Sequence, residues 1–274
     1  MRLATSTVDY FGRHLLRALE YSIKIVLMFY VSLRAAFKDR TRNLRAHASV
    51  MASQIYFTGF QALPLISVLA MATGSVLILQ GSMNFSVFGG AQGIGQFLIA
   101  SLVREISPLL TAMVVVARSG TAVATELGNM RANREIEALI SIGVNPFSHI
   151  VFPRLVAGAV SVVCLAFYFS VIALLGGFIM LRFMSDISPY FYFDTLMSSF
   201  SRADALIFVL KNSFSGLVIF LVACYQGLSV KSSPHEVPQA TTKAVVHSIF
   251  FVCVFNMAVT AIFYFSRLKD LGVI

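Results

Sequence analysis

Charge is scarce in this sequence. Of 274 residues only 12% are Asp, Glu, Lys or Arg, whereas 58% are hydrophobic, and mean hydropathy is +0.82. A soluble domain is about one-quarter charged, so a conventional water-soluble globule is excluded. Disorder needs low hydrophobicity and high charge and is excluded too. Cysteine is also rare: Cys164, Cys224 and Cys253 each lie in an apolar run without CxxC spacing, which reads as small buried hydrophobes. There is no G-x-x-x-x-G-K-[ST], H-E-x-x-H or G-x-S-x-G. His14, His47, His149, His235 and His247 are scattered and make no metal-ligand spacing. The start is a mixed amphipathic stretch, unlike a secretory signal peptide. The expectation is a chain that is not an enzyme and holds no metal or cofactor of its own.

The charge that is present lies at the front. Residues 1–48 carry nine Lys/Arg and three acidic residues, so they supply six of the net +9. A basic end joined to an apolar body points to anionic lipid at a membrane face, not to nucleic acid. Val8, Phe11, Leu15, Leu19, Ile23, Val26 and Tyr30 recur at spacings of three and four, opposite a stripe of Asp9, Arg13, Arg17, Glu20 and Lys24. This is the pattern of an amphipathic helix lying in the interface. Residues 39–45 would form a basic elbow after it, and 1–45 would be one unit.

A spanning helix needs about 20 apolar residues to cross about 30 Å of hydrocarbon. Stretches 46–103, 155–181, 212–230 and 244–266 are free of Asp, Glu, Lys and Arg, and four glycines within 84–95 break the first of them. The predicted spans are about 50–81, 96–127, 151–181, 206–230 and 244–266, forming a permease domain over 46–274. Loop 82–95 is uncharged; loop 128–154 holds Arg131, Arg134 and Arg154, and loop 231–243 holds Lys231 and Lys243. The positive-inside rule then puts the N-terminus in the cytoplasm and, with five spans, the C-terminus on the opposite face.

The second span carries most of the chemistry. Ionisable groups within a span cost several kcal/mol unless paired or wetted, so by default they mark function. Arg104 and Glu105 are adjacent, and each needs a partner on another helix or a water-filled cavity. Arg104 and Arg118 fall within about 40° of each other on a regular helix, which would place them on one face. Pro108 removes a backbone donor between them. Snorkelling to the interface would account for Arg118 and Glu126. Gly120, Ala124 and Gly128 are spaced for a close helix–helix approach, within the subunit or across a dimer. Residues 131–146 read as a short amphipathic helix in the loop after this span, stopped by Gly143 and Pro146. Such a helix can dock in a groove on another protein or pack on its own bundle.

The runs Arg104-Glu-Ile-Ser-Pro108, Ala117-Arg-Ser-Gly120, Glu126-Leu-Gly128, Met130-Arg131 and Gly143-Val-Asn-Pro146 resemble the MlaE (YrbE) permeases, the membrane subunits of MCE-associated lipid ABC transporters. Leu77-Ile-Leu-Gln-Gly81 and Ala240-Thr-Thr-Lys-Ala-Val-Val246 also match, and the likeness runs from about 45 to 265. The resemblance implies an all-α integral membrane fold: an N-terminal interfacial amphipathic helix, then five transmembrane helices with a short cytoplasmic coupling helix. It implies a homodimer in the bacterial inner membrane that moves phospholipid or a similar amphipathic lipid and contributes to outer-membrane lipid homeostasis. The implied partners are a cytoplasmic ABC ATPase that binds ATP and Mg, a periplasmic MCE-domain protein and, in some systems, a STAS-domain protein.

By position, the resemblance assigns a lipid pocket to Met71, Gly74, Ile78, Leu79 and Ser82, with Arg104 and Glu105 as the polar pair near it. It assigns ATPase coupling to Arg131, Arg134, Glu135, Glu137, Leu139, Ile142 and Gly143. The chain departs from the family pattern at Ile140 and Asn145, where acidic residues are usual, at Ser82, where an aromatic is common, and at Asn256, where Asp is common. A different reading of the residues alone is an ion-coupled secondary transporter gated by Arg104 and Glu105. It would require internal repeats of spans, and none is visible.

Overall fold

The computed structural model of the chain describes residues 2–38, 44–83, 91–184, 188–231 and 233–270, and among these there are helices and turns but no strand. The fold is all-α and membrane-integral. An apolar chain in hydrocarbon must satisfy its backbone internally, and the helix does this within each segment. Five helical stretches are long and apolar enough to cross a membrane: Ala48–Gly81, Gly95–Ala132, Phe147–Phe183, Arg202–Leu228 and Pro234–Phe265, the first to fifth spans below. A loop helix, Glu135–Ser141, joins the second span to the third, and a collar helix, Pro189–Ser199, joins the third to the fourth.

The bounds shift from the sequence expectation in two informative places. The fourth span begins at Arg202, so Asp204, expected in a loop, and Lys211 both belong to it. A capping box starts this helix: the Ser201 hydroxyl accepts from the Ala203 N–H and the Asp204 carboxylate from the Ser201 N–H. The fifth span also begins earlier, so Ala240–Lys243 are helical instead of a loop. Of the expected elbow, residues 39–43 lie outside the described part, and Leu44 and Arg45 open the helix Leu44–Thr58. Of the glycine-rich connector, 84–90 lie outside it, and helix resumes at Ala91.

Two spans are irregular in their interiors, besides the π-helical turn Phe147–Val151 that opens the third and the 3-10 turn Pro234–Glu236 that opens the fifth. The first is broken between Leu44–Thr58 and Leu63–Met83 by the tight turn Phe60–Ala62. Pro64 follows the break and offers no N–H to the turn's carbonyls. The second span widens to π-helical turns at Ile99–Ile106 and Val116–Gly120. Such insertions are rare in helices and concentrate at functional sites.

Close approaches fix the bundle. The first and third spans touch at Gly74, where a Cβ would overlap the Ala173 carbonyl. The small-residue stripe of the second span packs within the subunit. Gly120 faces Ile219, and a Cβ on Gly227 would meet the Ala124 carbonyl and Leu127 Cβ, both at 2.8 Å. Cysteine does not follow one pattern: Cys224 is buried, but Cys253 is only partly buried and Cys164 is exposed, because they sit on different faces of their helices.

The N-terminal helix, Arg2–Lys38, docks on the bundle through Ile25, Met28, Ser32 and Ala35. The Ser32 hydroxyl donates to the Phe147 carbonyl at 3.2 Å, and Gln226 Nε2 donates to the Tyr21 hydroxyl at 2.9 Å. Burial pushes the Tyr21 phenol up to about 12. Leu19, Ile23, Val26 and Tyr30 all stay exposed on another face, beside the Glu20–Lys24 ion pair at 2.7 Å. The side chains of Val8, Phe11 and Leu15, and those of Asp9, Arg13 and Arg17, lie outside the described residues.

Candidate functional site

The second, fourth and fifth spans meet in a buried charge network. Arg104 pairs with Asp204 at 2.7 Å, their side chains 7% and 1% exposed. Glu105 pairs with Lys211 at 3.1 Å, and the lysine side chain is 1% exposed. Lys211 Nζ also donates to the Thr260 hydroxyl at 2.7 Å and to the Arg104 carbonyl at 3.0 Å. Thr260 in turn donates to the Glu105 carboxylate at 2.9 Å. The Arg104 guanidinium lies 4.9 Å above the Phe263 ring.

Local backbone chemistry produces this arrangement. Arg104 and Glu105 sit on the wide turn Ile99–Ile106, just before Pro108. Proline gives no N–H to the Arg104 carbonyl, and the Lys211 ammonium takes that oxygen. On the fourth span Asp204 and Lys211 are seven residues apart, two helical turns, so both present to the same side. Each second-span charge therefore finds its partner on a neighbouring helix, as its cost in hydrocarbon demands. The sequence reading missed Asp204, Lys211 and Thr260. The available signal was the pair Asp204 and Lys211 at heptad spacing around the apolar run 205–210.

Arg104 and Arg118 do not share a site. The wide turns break the regular angular count, and the two guanidiniums go to different helices. Arg118 donates to the Phe57 carbonyl at 3.0 Å and to Gln61 Oε1 at 2.7 Å, and lies 5.0 Å from the Phe57 ring. It thus holds both edges of the break in the first span. Glu126 pairs with Arg154 of the third span at 2.7 Å. Neither residue is a simple snorkelling charge.

The residues assigned to a lipid pocket on the first span differ in burial. Ile78 is buried, and Gly74 packs directly on the third span. Met71 is exposed, Leu79 is half-buried, and the side chain of Ser82 lies outside the described residues.

The loop helix is shorter than 131–146. Arg131 still belongs to the second span, Arg134 turns the chain with φ 61°, and helix runs only from Glu135 to Ser141. Gly143, at φ +79°, ends it: the Gly143 N–H bonds the Ile140 carbonyl and the Val144 N–H the Leu139 carbonyl, each at 3.0 Å. Pro146 does not stop this helix; it opens the third span. Asn145 Oδ1 accepts the Phe147 N–H at 3.0 Å, so Asn145 serves as that helix's cap. Ile136 is buried and Leu139 half-buried, whereas Arg134, Glu135, Glu137, Ile140, Ile142 and Gly143 are exposed. Arg131 reaches Glu137 at 3.5 Å. Ile140 and Ile142 thus point outward and are flanked by charged side chains.

The family model described as Permease MlaE matches residues 51–262. The chain belongs to the MlaE permease family. Relatives agree over most of their length. A "Probable ABC transporter permease protein" of Rickettsia felis is 28% identical over 218 residues, 80% of this chain and 84% of the relative. Its counterpart in Rickettsia bellii is 29% identical over 216 residues, covering 79% and 83%. The "Intermembrane phospholipid transport system permease protein MlaE" of Haemophilus influenzae is 28% identical over 223 residues, covering 81% and 85%. The match contains the charge network, both wide turns and the loop helix of this permease. It is a transport subunit of ABC type, multi-pass in the membrane.

Proposed function

We propose that this permease moves phospholipid, or a closely similar amphipathic lipid, between the bacterial inner membrane and an MCE-domain protein on its periplasmic side, and so contributes to outer-membrane lipid homeostasis. It works as a homodimer, with the N-terminus cytoplasmic and the C-terminus periplasmic. Energy comes from a separate ABC ATPase that binds ATP and Mg. A STAS-domain protein is a further partner on the ATPase in the systems that have one. The observation that carries this reading is the family match over residues 51–262, together with a relative named for intermembrane phospholipid transport.

The geometry supports the assignment of parts. The loop helix ends the second span, and its exposed Ile140 and Ile142 fit a groove on a partner. The second span carries the Glu105–Lys211 and Arg104–Asp204 pairs, which bind it to the fourth and fifth spans, and Arg118, which binds it to the first. A push on the loop helix is thus transmitted to every helix that the second span grips. In this reading exposed Met71 and half-buried Leu79 of the first span face lipid across the dimer, while Gly74 and Ile78 back them against the third span.

The deciding experiment is co-reconstitution of the permease with the P-loop ATPase that co-purifies with it, in vesicles carrying fluorescent phospholipid. ATP-dependent lipid transfer to an MCE-domain acceptor is the expected result. Uptake driven by an ion gradient with the permease alone would overturn the reading in favour of a secondary transporter.

A further inference from the structure

The loop helix hangs between two legs, the end of the second span at Ala132 and the start of the third at Phe147. Glu126 and Arg154 tie the legs together, each about two turns from the end of its leg. Arg154 is 7% exposed and donates from Nη2 to Glu126 at 2.7 Å, while its buried Nε and Nη1 make no hydrogen bond among the described residues. A buried guanidinium is held by the acceptors it has, so Glu126 sets the position of Arg154 and of the helix that carries it. Ile136, buried beneath the loop helix, and the hydrogen bond from Ser32 to the Phe147 carbonyl close the same end of the bundle.

The legs differ in stiffness. The second span changes pitch at Val116–Gly120 and again at Ile99–Ile106, and such wide turns are where helices bend. The third runs as one α-helix from Phe152 to Met184. It meets its neighbours backbone to backbone at two levels. Near its start, a Cβ on Gly158 would overlap the Phe220 ring of the fourth span, and one on Gly216 would lie 2.7 Å from the Ala159 Cα. Farther along, a Cβ on Gly176 would lie 2.9 Å from the Met71 Cα of the first span, and Gly74 lies against Ala173. Ser75 donates to the Gly176 carbonyl at 3.3 Å, and the Ser67 and Tyr168 hydroxyls share a hydrogen bond of 2.7 Å.

Contacts this close leave no flexible side chain to absorb slip, so the first span must follow the third where they touch. The break at Phe60–Ala62 separates the touching stretch, Leu63–Met83, from the rest of the first span. Gly158 and Gly176 lie about 27 Å apart along the helix axis. A tilt of about 5° at the lower contact therefore moves Gly176, and Met71 with it, by about 2 Å. That is the size of helix shift on which packed interfaces switch.

We propose that the third span is the rod that carries motion of the ATPase to the first span. Arg154, held by Glu126, is the positioning residue at its driven end, and the contacts of Gly176 with Met71 and of Ala173 with Gly74 are its working end. This inference rests on the transport reading and names the route by which the loop helix reaches the first span.

The test uses the full permease reconstituted with its ATPase and an MCE-domain acceptor. Glu126→Gln alone leaves a buried guanidinium uncompensated and should lower the melting temperature. Glu126→Gln with Arg154→Met removes both charges and should fold. That double variant should retain the ATPase in pull-downs and its ATP hydrolysis, yet transfer about tenfold less phospholipid per ATP. Arg154→Lys, a milder change that keeps a cation for Glu126, should show the same loss in smaller degree. A second readout needs no transfer. Trapping the ATPase with ADP and vanadate should change amide hydrogen exchange over residues 71–78 by about twofold or more in the unmodified chain, and leave it unchanged in the double variant. Undiminished transfer per ATP in both Arg154 variants, or the same exchange response with and without the pair, would overturn the proposal. Loss of ATPase retention would overturn it too, by making Glu126 a docking residue. An unmodified chain that neither binds the ATPase nor transfers lipid with ATP would sink the transport reading itself. One that does both, while the double variant keeps pace, sinks the rod alone.

Discussion

At the residue scale, the buried pairs decide how substitutions must be read. Lys211 is almost completely enclosed, and its ammonium serves Glu105, Thr260 and the Arg104 carbonyl together. Removing one partner of such a pair leaves the other uncompensated and costs about 3 kcal/mol or more. Lys211→Met alone should therefore lower the melting temperature in detergent and the yield of monodisperse protein. Glu105→Gln added to Lys211→Met removes both charges and should restore most of the melting temperature. If the double variant folds normally yet no longer transfers lipid in the reconstituted complex, the pair acts in transport and not only in packing. Full transfer would make it purely structural.

At the scale of elements, two short irregularities matter more than the long helices. The break at Phe60–Ala62 exposes backbone that Arg118 caps from the neighbouring span. Hydrogen bonds from a charged donor are worth about 1.5–3 kcal/mol. Arg118→Ala should accelerate amide hydrogen exchange across residues 55–63 while leaving the fifth span protected. Arg118→Lys should rescue only in part, because an ammonium lacks the planar fork that reaches Phe57 and Gln61 together. The loop helix makes the complementary case. Ile140 and Ile142 are 56% and 74% exposed, so Ile140→Asp with Ile142→Asp should leave melting unchanged. The same double change should abolish retention of the ATPase in pull-downs, and undiminished retention would refute the docking role.

At the scale of the whole molecule, five spans and the loop charges predict termini on opposite faces. In a background lacking Cys164, Cys224 and Cys253, a cysteine placed at Ser141 should be shielded from a membrane-impermeant maleimide in intact spheroplasts. One placed at Ser188 should be labelled. The reverse pattern would invert the topology and put the loop helix out of a cytoplasmic ATPase's reach.

What the sequence determined by itself was whatever depends on local composition. Twenty or more apolar residues must be a spanning helix, Gly143 must end a helix where the chain turns left-handed, and unpaired charges at Arg104 and Glu105 must find partners. The tertiary structure alone decided who those partners are. Asp204 read as a loop residue until the capping box placed it inside the fourth helix, two turns before Lys211. The wide turns sent Arg104 and Arg118 to different neighbours, where a regular helix would have aligned them. Periodicity reports which way a side chain points only while every turn has the same number of residues, and in this molecule the buried charge network sits where that number changes.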